Sequence, residues 1–245
     1  MNDETGIKRR FGKSAKTYDN YADIQNRVAL TLNSQINSDA PKDILEIGCG
    51  TGLLSSEIIK KFPEANFTFT DNSTDMLETA EQKLLSQFPE KKSQFSFEIL
   101  NPEKNIGQNK YDLVISSMAI HWFEDILNTL KTIQSALTDD GSFYFSTIGP
   151  DCFKEWRQTL KELNVPHGLR IPPDLPGIIK TETITVSYGS AQNFLKGLKL
   201  TGAHSPKPGY TPLSSPKLKQ AMKKLEEDYS AELSWHIIYG KLSNL

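Results

Sequence analysis

The feature that most constrains this chain is a set of three closely spaced glycines at the end of an apolar segment. Residues 44–55 read Ile-Leu-Glu-Ile-Gly-Cys-Gly-Thr-Gly-Leu-Leu-Ser, which predicts a buried strand that turns sharply into a helix. Gly48 and Gly50 lack the Cβ atoms that would keep a ligand away from the backbone, and Gly52 lets the helix begin close to the strand. The first N–H groups of that helix then point toward a bound molecule.

A carboxylate follows these glycines at an informative distance. Residues 67–71 read Phe-Thr-Phe-Thr-Asp and alternate like a half-buried strand. Asp71 therefore comes about 20 residues after the glycines, the offset at which doubly wound folds place an acid on a ribose. A carboxylate offers two acceptor oxygens, one for each ribose hydroxyl. Together the two signals predict a nucleoside bound at the carboxyl ends of parallel strands.

The glycine spacing narrows the choice of nucleoside. A dinucleotide-binding turn has the pattern G-x-G-x-x-G, whereas this chain has G-x-G-x-G preceded by Glu46. The stretch resembles motif I of class I S-adenosylmethionine-dependent methyltransferases, whose ligand carries an ammonium group and no phosphate. The resemblance implies S-adenosylmethionine as cofactor, bound by Glu46, Gly48, Cys49, Gly50, Asp71, Asn72, Met76, Asn101, Pro102 and Ser116.

Three of these residues have a second interpretation or depart from the pattern. Asn101 stands where this superfamily usually carries an Asp for the adenine amino group, although an Asn carbonyl can also accept that hydrogen bond. Met76 would lie beside the adenosine or belong to the core of its helix. Cys49 is also explained by the need for a small side chain inside the turn.

The order of predicted elements indicates an α/β fold. Five strands alternate with helices, and this predicts a doubly wound, mostly parallel seven-stranded sheet with an antiparallel edge strand and a helical cover. A turn at 139–141 should precede the fifth strand, and the Pro-rich stretch 166–177 should be irregular. The strands are predicted at 43–48, 66–71, 95–100, 111–117, 142–147, 181–188 and 233–239, and the helices at 21–37, 53–62, 74–87, 125–137, 151–163, 190–199 and 215–229.

We expect one domain over residues 1–245, made of an N-terminal lid and helix (1–37), a cofactor-binding core (43–149) and a substrate cover with the last strands (150–245). The formal charge of −2 gives no general attraction to nucleic acid or membranes. Two cysteines make neither a disulfide framework nor a metal site. No apolar stretch approaches the ~20 residues of a membrane helix. The sequence therefore predicts a cytoplasmic enzyme with no metal.

The acceptor should lie after the fourth strand, where His121-Trp122-Phe123 follows. His121 would position the acceptor or act as a base, or it is a packed loop histidine. Transfer from an activated sulfonium is mainly a matter of positioning. A carboxylate acceptor is already ionised at neutral pH and needs no base, whereas a carbon or phenol acceptor would need one. The lack of a convincing base mildly favours a carboxylate.

Nearly the whole chain carries a more specific resemblance. Residues 10–25, with Arg10-Phe11-Gly12 and Tyr18 through Gln25, resemble the N-terminal signature of malonyl-[acyl-carrier protein] O-methyltransferases. The likeness continues through motif I, 71–73, 120–122, 146–149, 153–157, 194–203 and 238–241. It implies methylation of the free carboxylate of a malonyl thioester on acyl carrier protein, which hides the charge and primes pimeloyl synthesis for biotin.

If the acceptor is a malonyl group on acyl carrier protein, the protein needs a basic side chain to bind the carboxylate and a surface to bind the carrier protein. Arg157, one turn into the helix after the fifth strand, is the candidate for binding the carboxylate, unless it only lies on a solvated face. Tyr18 would lie on the N-terminal lid, over the cofactor. No Asp or Glu occurs between Ser190 and Lys224. We therefore expect an acidic carrier to dock on a basic cover, although the lysines could simply solvate helices: Lys196, Lys199, Lys217, Lys219, Lys223 and Lys224.

Other functions stay open from sequence alone. A methyltransferase for a small free acid, of the trans-aconitate type, would keep its activity after charge reversal of the cover. A quinone-type C-methyltransferase would depend on His121 as a base. A non-catalytic protein that senses the cofactor would bind it without turnover. RNA methylation is disfavoured, because the basic residues are not interleaved with aromatic residues that could stack on bases.

Overall fold

The computed structural model describes residues 11–12, 18–104, 106–201 and 206–244, apart from the side chains of Asn20 and Tyr21. Expectations that fall on residues 1–10, 13–17 and 202–205, among them part of the N-terminal signature, lie outside the described residues.

Seven strands form one sheet in the order β3-β2-β1-β4-β5-β7-β6. Strands β1 to β5 pair in parallel, and β7 runs antiparallel between β5 and β6. The predicted mostly parallel seven-stranded sheet with antiparallel pairing at one edge is confirmed. The antiparallel strand is β7, and β6 lies outside it as the edge strand. The strands are β1 Asp43–Ile47, β2 Asn66–Asp71, β3 Phe95–Ile99, β4 Tyr111–Ser117, β5 Leu137–Ile148, β6 Ile178–Ser187 and β7 Glu232–Ser243.

Seven α-helices accompany these strands in the described part of the chain. They are α1 Asp23–Gln35, α2 Leu53–Lys61, α3 Thr74–Gln87, α4 Ile126–Ser135, α5 Lys154–Glu162, α6 Ala191–Leu200 and α7 Ser215–Tyr229. Short 3-10 helices occupy Tyr18–Tyr21, Pro89–Gln94 and Ile120–Trp122. The predicted elements are thus present, and most boundaries agree within a few residues.

Alternation along the central strands builds a core on each face of the sheet. Val114 and Phe143 pack with α4 on one face. Leu113 and Tyr144, their neighbours in sequence, point to the other face and pack with the remaining helices. Helix α5 packs against α7 and β7, and α6 contacts the 3-10 helix Tyr18–Tyr21. The C-terminal helices therefore reach the N-terminal segment across the carboxyl ends of the strands.

The predicted turn at 139–141 is wrong, because β5 already begins at Leu137. Pairing with β4 steps from Tyr111↔Leu137 to Leu113↔Ser142, so the extra residues form a bulge within the strand. A Cβ at Gly141 would lie 2.9 Å from the backbone of Thr138 and from the Tyr111 carbonyl oxygen. The turn-like residues therefore serve a close backbone approach inside a longer strand.

Candidate active site

A cavity lies at the carboxyl ends of β1, β2 and β4, where the strand order reverses and doubly wound sheets bind their ligands. It has about 940 Å³ of empty space, its open mouth included, which suits a small-molecule ligand. The structure brings most of the predicted cofactor residues together in its lining: Gly48, Gly50, Asp71, Asn72, Met76, Asn101 and Pro102.

Three predicted cofactor residues do not line this cavity. Glu46 and Cys49 line a smaller adjoining cavity. Ser116 is fully buried, and its Oγ donates to the Ile47 carbonyl oxygen at 2.9 Å. Ser116 therefore ties β4 to β1, whereas its neighbour Ser117 faces the cavity.

The glycine turn forms an open cradle. Gly48 has φ +71°, and a Cβ there would lie 2.6 Å from the Ala119 Cβ. Gly50 has φ +56°, and nothing lies within 4 Å of the position its Cβ would take. That open position faces the cavity, so a ligand can lie against the backbone. The residues present therefore fit a nucleoside-bearing cofactor at this turn.

Asp71 is held in a fixed orientation at the end of β2. Its Oδ2 accepts from the Gly50 N–H at 3.0 Å, and its Oδ1 accepts from the Ser73 N–H at 2.8 Å. These two bonds fix the direction in which the carboxylate points. In the neighbouring loop the Asn101 Oδ1 accepts from the Glu103 N–H at 2.9 Å, and Asn101 lines the cavity beside Pro102.

Glu46 introduces a buried carboxyl group behind the turn. It is 2% exposed, and the Ser55 hydroxyl donates to its Oε2 at 2.5 Å. Burial raises the pKa of Glu46 to about 7, a rise that the Ser55 bond opposes and the nearby Asp71 charge reinforces. A cationic group in the adjoining cavity would favour the ionised carboxylate. The ammonium group of the expected cofactor has the charge that this position accommodates.

The N-terminal segment closes the cavity through Tyr18 and a residue that sequence reasoning missed. Tyr18 lines the main cavity and both adjoining ones. Its pKa is raised by burial and by the negative charges of Asp71 and Asp19. Asp19 accepts from the Thr51 hydroxyl at 2.5 Å and pairs with Lys83 at 2.9 Å. Asp19 thus fastens this lid to the turn before α2 and to α3.

A second cavity opens beside the first and is walled mainly by apolar and aromatic side chains. It shares Phe11, Tyr18, Met118, Trp122 and Arg170 with the cofactor cavity. Phe11 packs edge-on against Trp122, with ring centroids 5.4 Å apart. Met118, at the meeting point of the cavities, has φ +55°, a strained conformation for a long side chain. This second cavity is the candidate acceptor site.

His121 lies at the wall of the acceptor cavity. It is 7% exposed, and its Nδ1 lies 3.1 Å from the Thr147 hydroxyl. Burial lowers the pKa of His121 to about 3. The imidazole is therefore neutral at physiological pH and a weak proton acceptor, because an effective base has a pKa near the working pH.

Arg170 is the cation of this site, and sequence reasoning missed it. Among the described residues, no other Lys or Arg lines either the cofactor or the acceptor cavity. Its guanidinium carbon lies 5.9 Å from the Trp122 ring centroid, and burial lowers its pKa. Arg157, the predicted candidate, lines neither cavity and lies in a groove farther out. Arg170 belongs to the irregular 166–177 stretch, where no periodicity indicates which way a side chain points.

The lysines of the predicted cover differ in their pairing. Lys196, Lys199, Lys217 and Lys219 are exposed. Lys224 instead forms 2.8 Å ion pairs with Glu162 and Asp228, and Lys223 lies 3.4 Å from Glu227. Acidic residues outside residues 190–224 therefore pair with the last two lysines of the predicted cover.

The described residues contain no group of three or more His, Cys, Asp and Glu side chains that could hold a metal ion. No helix in the part of the chain that the structure describes is long and apolar enough to cross a membrane.

Comparisons with known proteins agree with this geometry. The family description "Methyltransferase domain" matches residues 45–143. The fold is similar to that of the YcgJ protein from Bacillus subtilis, with a TM-score of 0.63, 14% identity, and coverage of 89% of this chain and 99% of that one. The sheet order and the matched methyltransferase domain identify a Rossmann-like class I methyltransferase.

Curated relatives refine this class. Malonyl-[acyl-carrier protein] O-methyltransferase 2 of Ilyobacter polytropus is 33% identical over 257 residues, which cover 98% of this chain and 97% of the relative. The biotin biosynthesis bifunctional protein BioCD of Bordetella avium is 31% identical, over 97% of this chain and 52% of that protein. This chain belongs to the malonyl-[acyl-carrier protein] O-methyltransferase family. Membership confirms the predicted class, an S-adenosylmethionine-dependent O-methyltransferase.

Proposed function

We propose that this protein transfers the methyl group of S-adenosylmethionine to the free carboxylate of a malonyl thioester carried by acyl carrier protein, a step that serves biotin synthesis. The observation that carries the proposal is Arg170, the one Lys or Arg among the described residues that lines the two joined cavities. A methyl acceptor with a negative charge is the ligand that such a cation would hold. The family relatives carry the same activity in their names.

The cofactor would lie along the glycine turn, between the carboxyl groups of Asp71 and Glu46. Asp71 would accept from the ribose hydroxyls, Gly48 and Gly50 would allow close contact, and Glu46 would face the ammonium end. Asn72, Met76, Asn101 and Pro102 would surround the adenine. The bound cofactor supplies a methyl group already activated by its positive sulfonium.

The protein would contribute positioning and exclusion of water. Arg170 would orient the malonyl carboxylate toward the cofactor cavity, while Tyr18 and Met118, which line both cavities, would help to exclude water. Holding two reactants in line can contribute up to ~7–11 kcal/mol in favourable cases. The carboxylate is its own nucleophile, so no proton has to be removed.

The low pKa of His121 supports this choice of acceptor over a carbon or phenol. An imidazole with a pKa of about 3 is a poor base at neutral pH, and a quinone-type C-methyltransferase would need a base. His121 would instead form part of the wall of the acceptor cavity, held in place by its hydrogen bond with the Thr147 hydroxyl.

The carrier would dock on the exposed lysines of α6 and α7, namely Lys196, Lys199, Lys217 and Lys219. Acyl carrier proteins are acidic, so complementary charge would speed their encounter. Lys223 and Lys224 would contribute less, because acids already pair with them.

The cytoplasmic location stays a prediction.

The test compares acceptors that differ in one group. Three forms of acyl carrier protein are offered with labelled S-adenosylmethionine: malonyl, acetyl, and the malonyl methyl ester, which is the finished product. Trans-aconitate is run beside them. Label should enter only the carrier with a free malonyl carboxylate. Faster transfer to trans-aconitate than to malonyl carrier would assign the enzyme to free acids.

A further inference from the structure

A basic groove runs outward from the acceptor cavity and is not used by the chemistry described above. It shares His121, Leu169 and Arg170 with that cavity. Farther out it is lined by Arg157, His167 and Lys207. The groove therefore connects the candidate acceptor site to the protein surface, and further basic side chains follow Arg170 along it.

The backbone holds these basic side chains in one place. The Lys207 N–H donates to the Gly168 carbonyl oxygen at 2.8 Å. A Cβ at Gly168 would lie 2.9 Å from the Tyr210 ring and 3.1 Å from Pro206. The segment after α6 thus packs tightly on the residue that follows His167. Arg157 reaches the same groove from α5.

Arg157, His167 and Lys207 lie together without an ion-pair partner among the described residues. Burial lowers the pKa of His167, and the positive charges of Lys207 and Arg157 lower it further. Neither Arg157 nor Lys207 forms an ion pair in the described part of the chain. The Arg157 Nε and the His167 Nδ1 are buried and have no hydrogen-bond partner there. Buried polar atoms of this kind cost free energy unless a ligand supplies hydrogen-bond partners.

Two acids, Glu124 and Asp125, also line the groove, but among the described residues neither forms an ion pair with Arg157 or Lys207. The Asp125 Oδ1 accepts from the Asn128 N–H at 3.1 Å and caps α4. Glu124 is exposed. The positive side of the groove is therefore the side formed by α5, the 166–170 loop and Lys207.

We propose that this groove binds the phosphate of the 4′-phosphopantetheine arm that carries the malonyl group, with Arg157 and Lys207 as the phosphate contacts. The inference rests on the proposed function. It gives the arm a direction: phosphate at the basic outer end, thioester along Leu169, and carboxylate at Arg170. Guanidinium and ammonium groups are the donors that commonly bind phosphate oxygens.

The test uses two acceptors that differ only in the phosphate, malonyl-4′-phosphopantetheine and malonyl-pantetheine. Wild-type enzyme should prefer the phosphorylated acceptor in kcat/KM by about 10-fold or more, the size of one charge-assisted hydrogen bond. Arg157→Gln and Lys207→Gln should each bring this ratio toward 1. Lys161→Gln, which changes an exposed residue of the same helix outside the groove, should keep the wild-type ratio.

Calorimetry with 4′-phosphopantetheine and pantetheine gives a readout that does not depend on turnover. Tighter binding of the phosphorylated compound, lost in Lys207→Gln, supports the site even if Arg157→Gln folds poorly. Equal binding of both compounds by wild-type enzyme overturns it, as does an equal loss for both acceptors in the variants. Phosphate-dependent binding without any methylation of malonyl thioesters would instead contradict the proposed function.

Discussion

Replacing Arg170 should change how the acceptor binds far more than how fast the bound acceptor reacts. The malonyl carboxylate loses its charge as its oxygen bonds to the methyl carbon. A cation that holds this carboxylate therefore stabilises the ground state at least as well as the transition state, and such binding lowers KM without raising kcat. Arg170→Gln should accordingly raise KM and leave kcat within about three-fold.

The size of the effect follows from the environment of Arg170. Hydrogen bonds to charged groups contribute about 1.5–3 kcal/mol, which corresponds to roughly 10- to 150-fold in affinity. Arg170 is only partly buried, so solvent screens the pair and the expected rise in KM is in the lower part of this range. Arg170→Lys should recover part of the loss, because it restores the charge without the planar fork.

Steady-state kinetics with malonyl carrier protein measures both parameters, and the cofactor Kd and urea unfolding check that the variant is otherwise intact. Loss of kcat at unchanged KM would refute the reasoning, since Arg170 would then act in the transition state. An unchanged KM and kcat would remove Arg170 from the acceptor site.

Four further changes have expected outcomes. Asp71→Ala should weaken cofactor binding by about 10- to 100-fold in calorimetry, since it removes a charged acceptor for the ribose; unaltered affinity would contradict this role. Gly48→Ala should destabilise the fold by more than Gly189→Ala in urea unfolding: both glycines have φ near +70°, but only at Gly48 would the new Cβ meet another residue, Ala119 at 2.6 Å. The folded-state pKa of His121, about 3, lies below its unfolded value of 6.5. As the pH falls from 6.5 toward 3, the unfolded state therefore binds a proton that the folded state does not, and folding loses stability. Wild type should therefore lose about 2 kcal/mol more stability than His121→Asn between pH 7 and pH 5, and equal losses would be inconsistent with a buried neutral imidazole. Reversing the charge of Lys217 and Lys219 together should lower kcat/KM for malonyl carrier protein and not for malonyl-coenzyme A, with the difference fading at high salt; an equal loss for both acceptors would argue against docking there.

The fold was accessible from sequence because its signals are local. Alternating apolar residues in β1, β4 and β5 have to fill two cores, and the glycines before α2 need positive φ angles. The bulge at 139–141 was mistaken for a turn because Asp-Asp-Gly favours both. Only the pairing of Leu137 with Tyr111 distinguishes the two structures.

The cofactor half of the site was also predictable, whereas the acceptor half was less so. Gly48, Gly50 and Asp71 follow strand ends, and the ends of parallel strands converge at one edge. Arg170 lies in an irregular loop, so its direction depends on contacts made by distant segments. The pairing of Lys224 with Glu162 likewise joins residues from different helices, and no count of nearby charges along the chain reveals it.

The most direct test of the central claim is the mass of the acceptor arm after reaction. Malonyl acyl carrier protein is incubated with the enzyme and S-adenosylmethionine, and the arm is released and analysed by mass spectrometry, with Asp71→Ala as the control. The proposed function predicts the addition of one methyl group, located on the terminal carboxyl oxygen and lost in the control. An unmodified arm, or a methyl group on carbon, would contradict it.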